Sequence, residues 1–274
     1  MPVRTDIVYC YDGSGEGLLC CIFDAYARRE QPMAIWCGEA EEPTLFDVHR
    51  VQTDPVHAQR VKCAIETKLG PVALEWIRGA FLSDLEDREV HILQFVQLGI
   101  TVGRDVTRML SDARVDVIYK AVRRLVGEAH LLKGFVRFSD FDGVLCAEIA
   151  PKNQVLPLLS THFRTRLPGE RFLIYDRTHR QALVHAGGQS RILSLEHWEM
   201  PSANRAEQAY RKLWRRFYDT VAIQARENPK CRQTHMPKRF WDCMTEFDDG
   251  NLPEGLPPAA AQGTGGCKTD GFAV

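Results

Sequence analysis

The chain lacks the patterns that identify a membrane protein, a disulfide framework or a cysteine-bound metal. No apolar run approaches the ~20 residues of a membrane-spanning helix, and the first six residues do not resemble a signal peptide. The nine cysteines include no Cys-x-x-Cys pair, so neither a zinc ribbon nor an iron–sulfur cluster is indicated. We therefore expect a cytoplasmic protein that has no metal site and does not act at a membrane.

Motifs for phosphate-bearing cofactors are also missing. Gly13, Gly15 and Gly17 follow a predicted strand at 7–11, but their spacing matches neither the Walker loop nor the dinucleotide fingerprint. Asp12 would repel an anion from this turn, where backbone amides could otherwise bind phosphate. Nucleotide binding is therefore disfavoured, and no cofactor is expected.

Apolar periodicity and turn residues predict an α+β protein with three regions. Residues 1–114 should form a mostly helical N-terminal lobe with one strand, and residues 115–247 an α+β lobe with a basic surface. Residues 248–274 contain six glycines, three prolines and few large apolar side chains, which predicts a disordered tail. In the N-terminal lobe, helices are predicted at 18–29, 55–68, 72–83, 88–98 and 106–110.

The α+β lobe is predicted to contain an antiparallel sheet with a helix packed on one face. Asp142 and Gly143 separate two strand-like segments and give a strong hairpin signal. A long amphipathic helix should follow at 205–227. The strands are predicted at 135–138, 144–149, 172–175 and 182–185, and the packed helix at 155–167.

A cluster of ionisable residues lies where a helix beginning at Val115 should meet the first of these strands. Glu128 and His130 lie on opposite flanks of the helix, and Glu128 shares its flank with Arg124. Gly134 is the expected helix stop, with Lys133 as a cation in the last turn. Capping and surface pairing account for each residue singly, whereas a site at this junction would use them together.

Positive charge is concentrated in the second half of the chain. Residues 1–119 hold 12 Lys and Arg against 19 Asp and Glu, residues 120–191 hold 12 against 6, and residues 205–240 hold 10 against 3. Such polarity suits a phosphate backbone, although solvated helix faces would have the same composition. The candidate DNA-binding residues are Lys133, Arg137, Arg166, Arg211, Arg215 and Arg216.

The long helix at 205–227 has an apolar stripe as well as this basic charge. Its members are Tyr210, Trp214, Phe217 and Val221. Such stripes usually pack in a core, so base stacking on Trp214 is disfavoured. The arginines at 211, 215 and 216 lie off the stripe, which predicts that they are exposed and can reach phosphates.

Several segments resemble a bacterial family of unknown function linked to DNA metabolism and repair. The similarity covers about residues 5–247 and is carried by segments 11–13, 80–82, 128–138, 156–159, 162–163, 175–176, 213–214, 228–229 and 236–241. The resemblance implies a role linked to DNA and a partner that is a radical S-adenosylmethionine protein, because members are typically encoded beside one. Related domains are fused to domains that resemble uracil-DNA glycosylases. Where the family has a histidine before Val155, this chain has Asn153 and Gln154, which argues against a catalytic histidine there.

Two functions remain open from the sequence. In one, the protein is a DNA-binding adaptor or subunit of a radical enzyme in DNA repair or modification. In the other, it is a glycosylase-like or other DNA-processing enzyme in which a histidine acts as general acid or base beside a carboxylate, and arginines hold a phosphate. The absence of a metal motif, a nucleophile motif and a cofactor loop favours the adaptor. The candidate catalytic residues are His130, His162, Glu148 and Asp176.

Overall fold

A computed structural model describes residues 4–38, 45–221 and 228–247 of the chain. These residues form two compact units, one ending at Leu125 and the other beginning at Val126. The first contains a three-stranded sheet and the second a five-stranded sheet, each accompanied by helices, which confirms the α+β class. The predicted tail at 248–274 and the last predicted turns of the helix at 205–227 lie outside the described residues.

The first unit packs helices around a parallel sheet. Its centre is β1, whose five residues are all buried, with a parallel strand on each side. The prediction of a single strand is therefore wrong, because the two short flanking strands lack the apolar alternation that identifies β1. In chain order the elements are β1 (Ile7–Tyr11), α1 (Gly15–Arg28), β2 (Ala34–Cys37), β3 (Asp47–Arg50), α2 (Pro55–Lys68), α3 (Pro71–Phe81), α4 (Arg88–Val102), a 3-10 helix (Gly103–Arg108) and the start of α5 (Ala113–Phe135).

A carboxylate occupies the glycine-rich turn between β1 and α1. Asp12 accepts hydrogen bonds from the backbone and the hydroxyl of Ser14 and from the hydroxyl of Thr53. Ser14 is the N-cap of α1, and its hydroxyl in turn accepts from the amide of Gly17 in the first turn. A side chain at Gly17 would collide with the Asp12 carboxylate, so packing against an acid explains this glycine without a bound phosphate.

The second unit is built on a mixed five-stranded sheet in the order β4-β5-β6-β7-β8. Three strand pairs are antiparallel, but β5 and β6 are parallel, because α6 carries the chain back across the sheet between them. The prediction of a wholly antiparallel sheet is therefore wrong at this one pair. The elements are the end of α5, β4 (Ser139–Phe141), β5 (Val144–Ile149), α6 (Leu156–Arg166), β6 (Arg171–Asp176), β7 (Gln181–Ala186), β8 (Gln189–Ser194), α7 (Arg205–Val221), α8 (Pro229–His235) and a 3-10 helix (Lys238–Cys243).

The hairpin between β4 and β5 follows its sequence signal. Asp142 and Gly143 both have positive φ, 51° and 79°, as a two-residue turn of type I′ requires. The first strand begins later than predicted, at Ser139, since α5 continues through Gly134 to Phe135. Gly134 is thus an ordinary helical residue and not the left-handed stop that the sequence suggests.

Aromatic packing fixes α6 on one face of the sheet. The Phe163 ring lies 6.3 Å from the ring of Phe172 on β6 and 5.2 Å from that of Phe138. Phe172 also stacks on His185 of β7 at 4.8 Å. This packing fixes the C-terminal half of α6, which carries His162 and Arg166, on the sheet. Throughout the described ranges, every helix is too short or too polar to cross a bilayer.

Candidate functional site

Three of the predicted site residues form a basic cluster in the second unit. Lys133 is exposed in the last turn of α5, and His162 and Arg166 lie one turn apart on α6. Burial lowers the pKa of His162 below its usual value, and the positive charges of Lys133 and Arg166 lower it further. We call these three residues the basic cluster.

The basic cluster has no acidic counterpart among the residues that the structure describes. Neither Lys133 nor Arg166 forms an ion pair or a side-chain hydrogen bond there, and the charges acting on His162 are both positive. Positive charges held close together repel one another, and a bound anion offsets this repulsion. The cluster is therefore suited to bind an anion such as a phosphate.

The two predicted catalytic carboxylates lie in a different place, at the ends of adjacent strands. Glu148 on β5 and Asp176 on β6 approach the same sheet edge because these strands are parallel. The guanidinium of Arg177 bridges Glu148, at 3.3 Å, and Asp242, at 3.5 Å. Glu148, Tyr175 and Arg177 line an open depression of about 480 Å³ together with residues 196–199.

Asp176 is fully buried and binds a histidine that sequence reasoning missed. Its carboxylate accepts from the amides of Thr178 and His179 and lies 2.7 Å from Nδ1 of His179. Burial raises the pKa of the Asp176 carboxyl, and the hydrogen bonds with His179 oppose that shift. A carboxylate that is hydrogen-bonded to Nδ1 orients the imidazole, as it does in a histidine that acts as a general base. The same contacts of Asp176 also close the turn between β6 and β7, which is a structural role.

The other predicted histidine–carboxylate pairs do not form. His130 is exposed and makes no hydrogen bond or ion pair with any described residue, while His162 belongs to the basic cluster. Cys243 lies near the carboxylates, but burial raises the pKa of its thiol to about 11, so it is not a thiolate nucleophile at neutral pH. Of the four candidate catalytic residues, only Glu148 and Asp176 share one edge of the sheet.

Glu128 is a structural anchor rather than a partner of Arg124. Its side chain is 3% exposed and accepts from the backbone amides of Lys152 and Asn153, from the Asn153 side chain and from Arg239 at 2.9 Å. The predicted pairing is wrong, because Arg124 points to Asp84 at 3.6 Å. The asparagine at 153 thus has a definite task in this chain, which is to bind a buried carboxylate.

Two predicted DNA-binding arginines of α7 face the body of the unit. Arg211 binds Glu207 at 2.9 Å and the Ser139 hydroxyl at 2.7 Å, and Arg215 donates to the carbonyl of Thr245. The expectation that both are fully exposed is therefore wrong; the Arg211 side chain is 23% exposed. Arg216 is exposed, as predicted.

Arg137 is also held within the protein. Its Nε and Nη2 atoms bind the carboxylate of Glu246, which is 1% exposed, and its guanidinium lies 5.5 Å from the ring of Trp214. A phosphate would have to displace a buried carboxylate to reach it. Of the six predicted DNA-binding residues, Lys133, Arg166 and Arg216 therefore remain accessible.

The sequence pattern of a family described as a domain of unknown function, DUF4130, matches residues 86–246. The chain belongs to this family. The matched region includes the basic cluster and the depression, and it ends at the residue that binds Arg137. No curated protein and no solved structure matches the chain.

Proposed function

We propose that this DUF4130 protein binds DNA through its second unit, and that it acts as an adaptor or subunit in DNA repair or modification. The observation that carries the proposal is the basic cluster of Lys133, His162 and Arg166, because its repelling charges have no described carboxylate to neutralise them. A phosphate backbone supplies the missing negative charge without demanding a particular base.

Charge along the chain supports DNA over a single small anion. Residues 120–191 carry 12 Lys and Arg against 6 Asp and Glu, so the excess of positive charge extends beyond the basic cluster. Arg216 on α7 adds another accessible cation. A polymer that places many phosphates in a row can contact several such cations together, whereas one phosphate ion cannot.

The proposed protein partner is a radical S-adenosylmethionine protein. Support for this part comes from the resemblance to proteins that are encoded beside such enzymes. In this arrangement the DUF4130 protein would hold the DNA, and the radical chemistry would belong to the partner. A pull-down with the purified protein and a radical S-adenosylmethionine protein of the same organism tests it directly, and absence of a complex with or without DNA would contradict it.

Removing one cation of the basic cluster should weaken DNA binding in a salt-dependent way. We expect Lys133→Met and Arg166→Met each to lower the affinity for a duplex about tenfold near 0.1 M salt, and to reduce the slope of log K against log salt by about 0.9. Fluorescence anisotropy over a salt series measures both quantities.

His130→Gln is the matched control for these variants, because this exposed histidine makes no described contact. Its affinity and salt slope should equal those of the unchanged protein. If the unchanged protein shows no binding at low salt, or if its affinity does not depend on salt, then the proposal is wrong.

DNA affinity should increase as the pH falls, because of His162. The pKa of His162 is lowered in the free protein, so a nearby phosphate favours the protonated ring and binding takes up a proton. Affinity should therefore rise as the pH decreases from about 7.5 through the ordinary histidine pKa near 6.5, and level off below the lowered pKa of the free protein. His162→Gln should lose this part of the pH dependence. An unchanged pH profile in that variant would rule out His162 as a DNA contact.

The alternative function is a DNA-processing enzyme, and the Asp176–His179 pair favours it. Asp176 orients the His179 ring just after β6, and Glu148 lies at the end of the neighbouring parallel strand, which supports a general base at this end of the sheet. Incubation of the purified protein with lesion-containing oligonucleotides, followed by separation of products, tests this function. Product from the unchanged protein but not from His179→Asn would support it over the adaptor.

A further inference from the structure

The open depression of the second unit lies on the face of the sheet opposite to α6. Phe172 of β6 packs against α6, so Tyr175, three residues later on the same strand, points to the other face. Glu148 is the register partner of Tyr175 on β5 and points the same way. Together with Arg177 and residues 196–199, these side chains line about 480 Å³ of space, a volume in the range of small-molecule sites.

The segment that forms the outer wall of the depression is held on the sheet. The amide of Leu195 donates to the carbonyl of Arg180 at 2.8 Å, and the Tyr175 hydroxyl donates to the carbonyl of Leu195 at 3.4 Å. The rings of Tyr175 and Trp198 are 5.3 Å apart at an angle of 50°. These contacts position a partly buried indole at the depression, so a ligand can use its π face without ordering this segment first.

Negative charge is in excess around the depression. The guanidinium of Arg177 is shared between Glu148 at 3.3 Å and Asp242 at 3.5 Å, so its single positive charge meets two carboxylates. Glu196 and Glu199 are exposed, and neither forms an ion pair within the described ranges. An anion in the depression would therefore face carboxylates that no described cation neutralises, whereas a cation would be attracted.

The second arginine of this region does not reverse the balance. Burial raises the pKa of Tyr175, the charge of Glu148 raises it further, and the charge of Arg180 opposes the shift. Arg177 and Arg180 together supply two positive charges, whereas residues 148, 196, 199 and 242 supply four carboxylates. The phenol stays neutral at ordinary pH, and the surroundings of the depression are negative.

We infer that the depression binds an organic cation, namely the alkylammonium or guanidinium group of a ligand. Cations are attracted to the π face of an aromatic ring, most strongly to that of tryptophan, and Trp198 supplies such a ring. Glu196 and Glu199 supply acceptors for the N–H groups of the same cation. This inference does not rest on DNA binding, since two members of the basic cluster are carried by α6 on the other face of the sheet.

The carboxylates of the depression favour an organic cation over a metal ion. Metal ions in proteins take several oxygen, nitrogen or sulfur ligands at about 2.0 to 2.6 Å. Throughout the described ranges, no three His, Cys, Asp or Glu side chains lie close enough together to hold a metal ion. An ammonium or guanidinium group needs a π face and one or two carboxylates at ordinary hydrogen-bond distances, which is the set of groups that the depression has.

Titration of the full, ¹⁵N-labelled chain with Nα-acetyl-lysine amide tests the inference through the indole N–H signals. Of the five tryptophans, Trp198 is the one that lines the depression, so one indole signal should shift, and Trp198→Phe identifies that signal by its loss. We expect a Kd on the order of 1 mM for this single cation. Nα-acetyl-norleucine amide has a similar side chain without the charge, and it should leave the signal unchanged.

Charge neutralisation measures the contribution of the two free carboxylates. The double variant Glu196→Gln, Glu199→Gln should weaken binding of Nα-acetyl-lysine amide at least about fivefold. The matched control is the double variant Glu75→Gln, Glu170→Gln, which removes two exposed carboxylates, one on α3 and one just before β6. It changes the net charge by the same amount and should leave the affinity unchanged.

A capped peptide that has one lysine between glycines distinguishes the two sources of such a cation. If the peptide binds at least about tenfold more tightly than Nα-acetyl-lysine amide, the ligand is a side chain of a protein; equal affinity indicates a free amine. The inference is overturned if the Trp198 signal does not move at about 20 mM Nα-acetyl-lysine amide. Equal shifts with the norleucine compound, or equal affinities of the two double variants, overturn it as well.

Discussion

Glu128→Ala should lower the free energy of unfolding by about 3 kcal/mol. The substitution leaves the amide and side chain of Asn153 and the amide of Lys152 without their acceptor, and Asn153 itself is buried. It also removes the carboxylate that pairs with Arg239. Buried donors without acceptors account for most of the expected loss, since Arg239 is partly exposed and water can solvate it. Denaturant unfolding followed by circular dichroism measures the change.

Arg124→Met is the control on the same helix. Its guanidinium pairs with Asp84 at 3.6 Å and is 52% exposed, so the loss should stay below about 0.5 kcal/mol. Glu128→Gln should fall between the two variants, because the amide retains one acceptor atom but turns a donor toward other donors. If Glu128→Ala proved as stable as Arg124→Met, the buried anchor would not exist in solution.

Arg211→Glu should destabilise the protein by about 3 kcal/mol, whereas Arg216→Glu on the same helix should leave stability nearly unchanged. Reversal at 211 replaces a favourable pair with two neighbouring carboxylates, one of which, Glu207, is buried and therefore poorly solvated. The Ser139 hydroxyl would lose its contact as well. Both variants carry the same change in net charge, so a difference between them reports on local contacts.

Thermal and denaturant unfolding of the two variants, compared with the unchanged protein, measure this difference. Arg211→Met separates repulsion from the loss of a partner, and it should be less destabilising than Arg211→Glu. Equal stability of the two Glu variants would mean that α7 does not hold its polar side against β4.

Local signals in the sequence were sufficient to predict most of the helices and the turn between β4 and β5. The helix predicted at 55–68 has the bounds of α2, and Asp142 and Gly143 adopt the positive φ values that the hairpin requires. In both cases the controlling interactions lie within a few residues of one another, which is the range that periodicity and turn chemistry report.

Long-range pairing could not be read from these local patterns. The parallel pairing of β5 with β6 depends on the path of α6 across the sheet. The strands β2 and β3 are four residues long, and their sequences lack the apolar alternation that would identify them as partners of β1. The predicted orientation of α7 was wrong for a related reason. Apolar stripes normally face the core, but in α7 the stripe is 40% to 69% exposed, and the polar side chains of Glu207 and Arg211 contact β4 instead.

The candidate site was predictable in its residue types but not in its pairings. Lys133 and Arg166 were selected as cations for DNA and His162 as a general acid or base, and the fold brings the three side chains close enough for the two cations to act on the histidine. His179 was missed because a histidine three residues after an aspartate in a turn is a weak signal without coordinates. The burial of Glu128 was not predicted, because Arg124, four residues earlier on the same helix, suggested a surface ion pair.

Two long-range ion pairs close almost the same stretch of chain. Arg137 and Glu246 are 109 residues apart, and Glu128 and Arg239 are 111 residues apart. The entropy lost in closing a loop depends only weakly on its length, so the first contact to form bears nearly the whole cost and the second adds little. The two pairs should therefore form and break together. Unfolding of residues 228–247 would release Glu128 on the last turns of α5 and Arg137 just after that helix in one step, so limited proteolysis within these residues should report the opening of both pairs together.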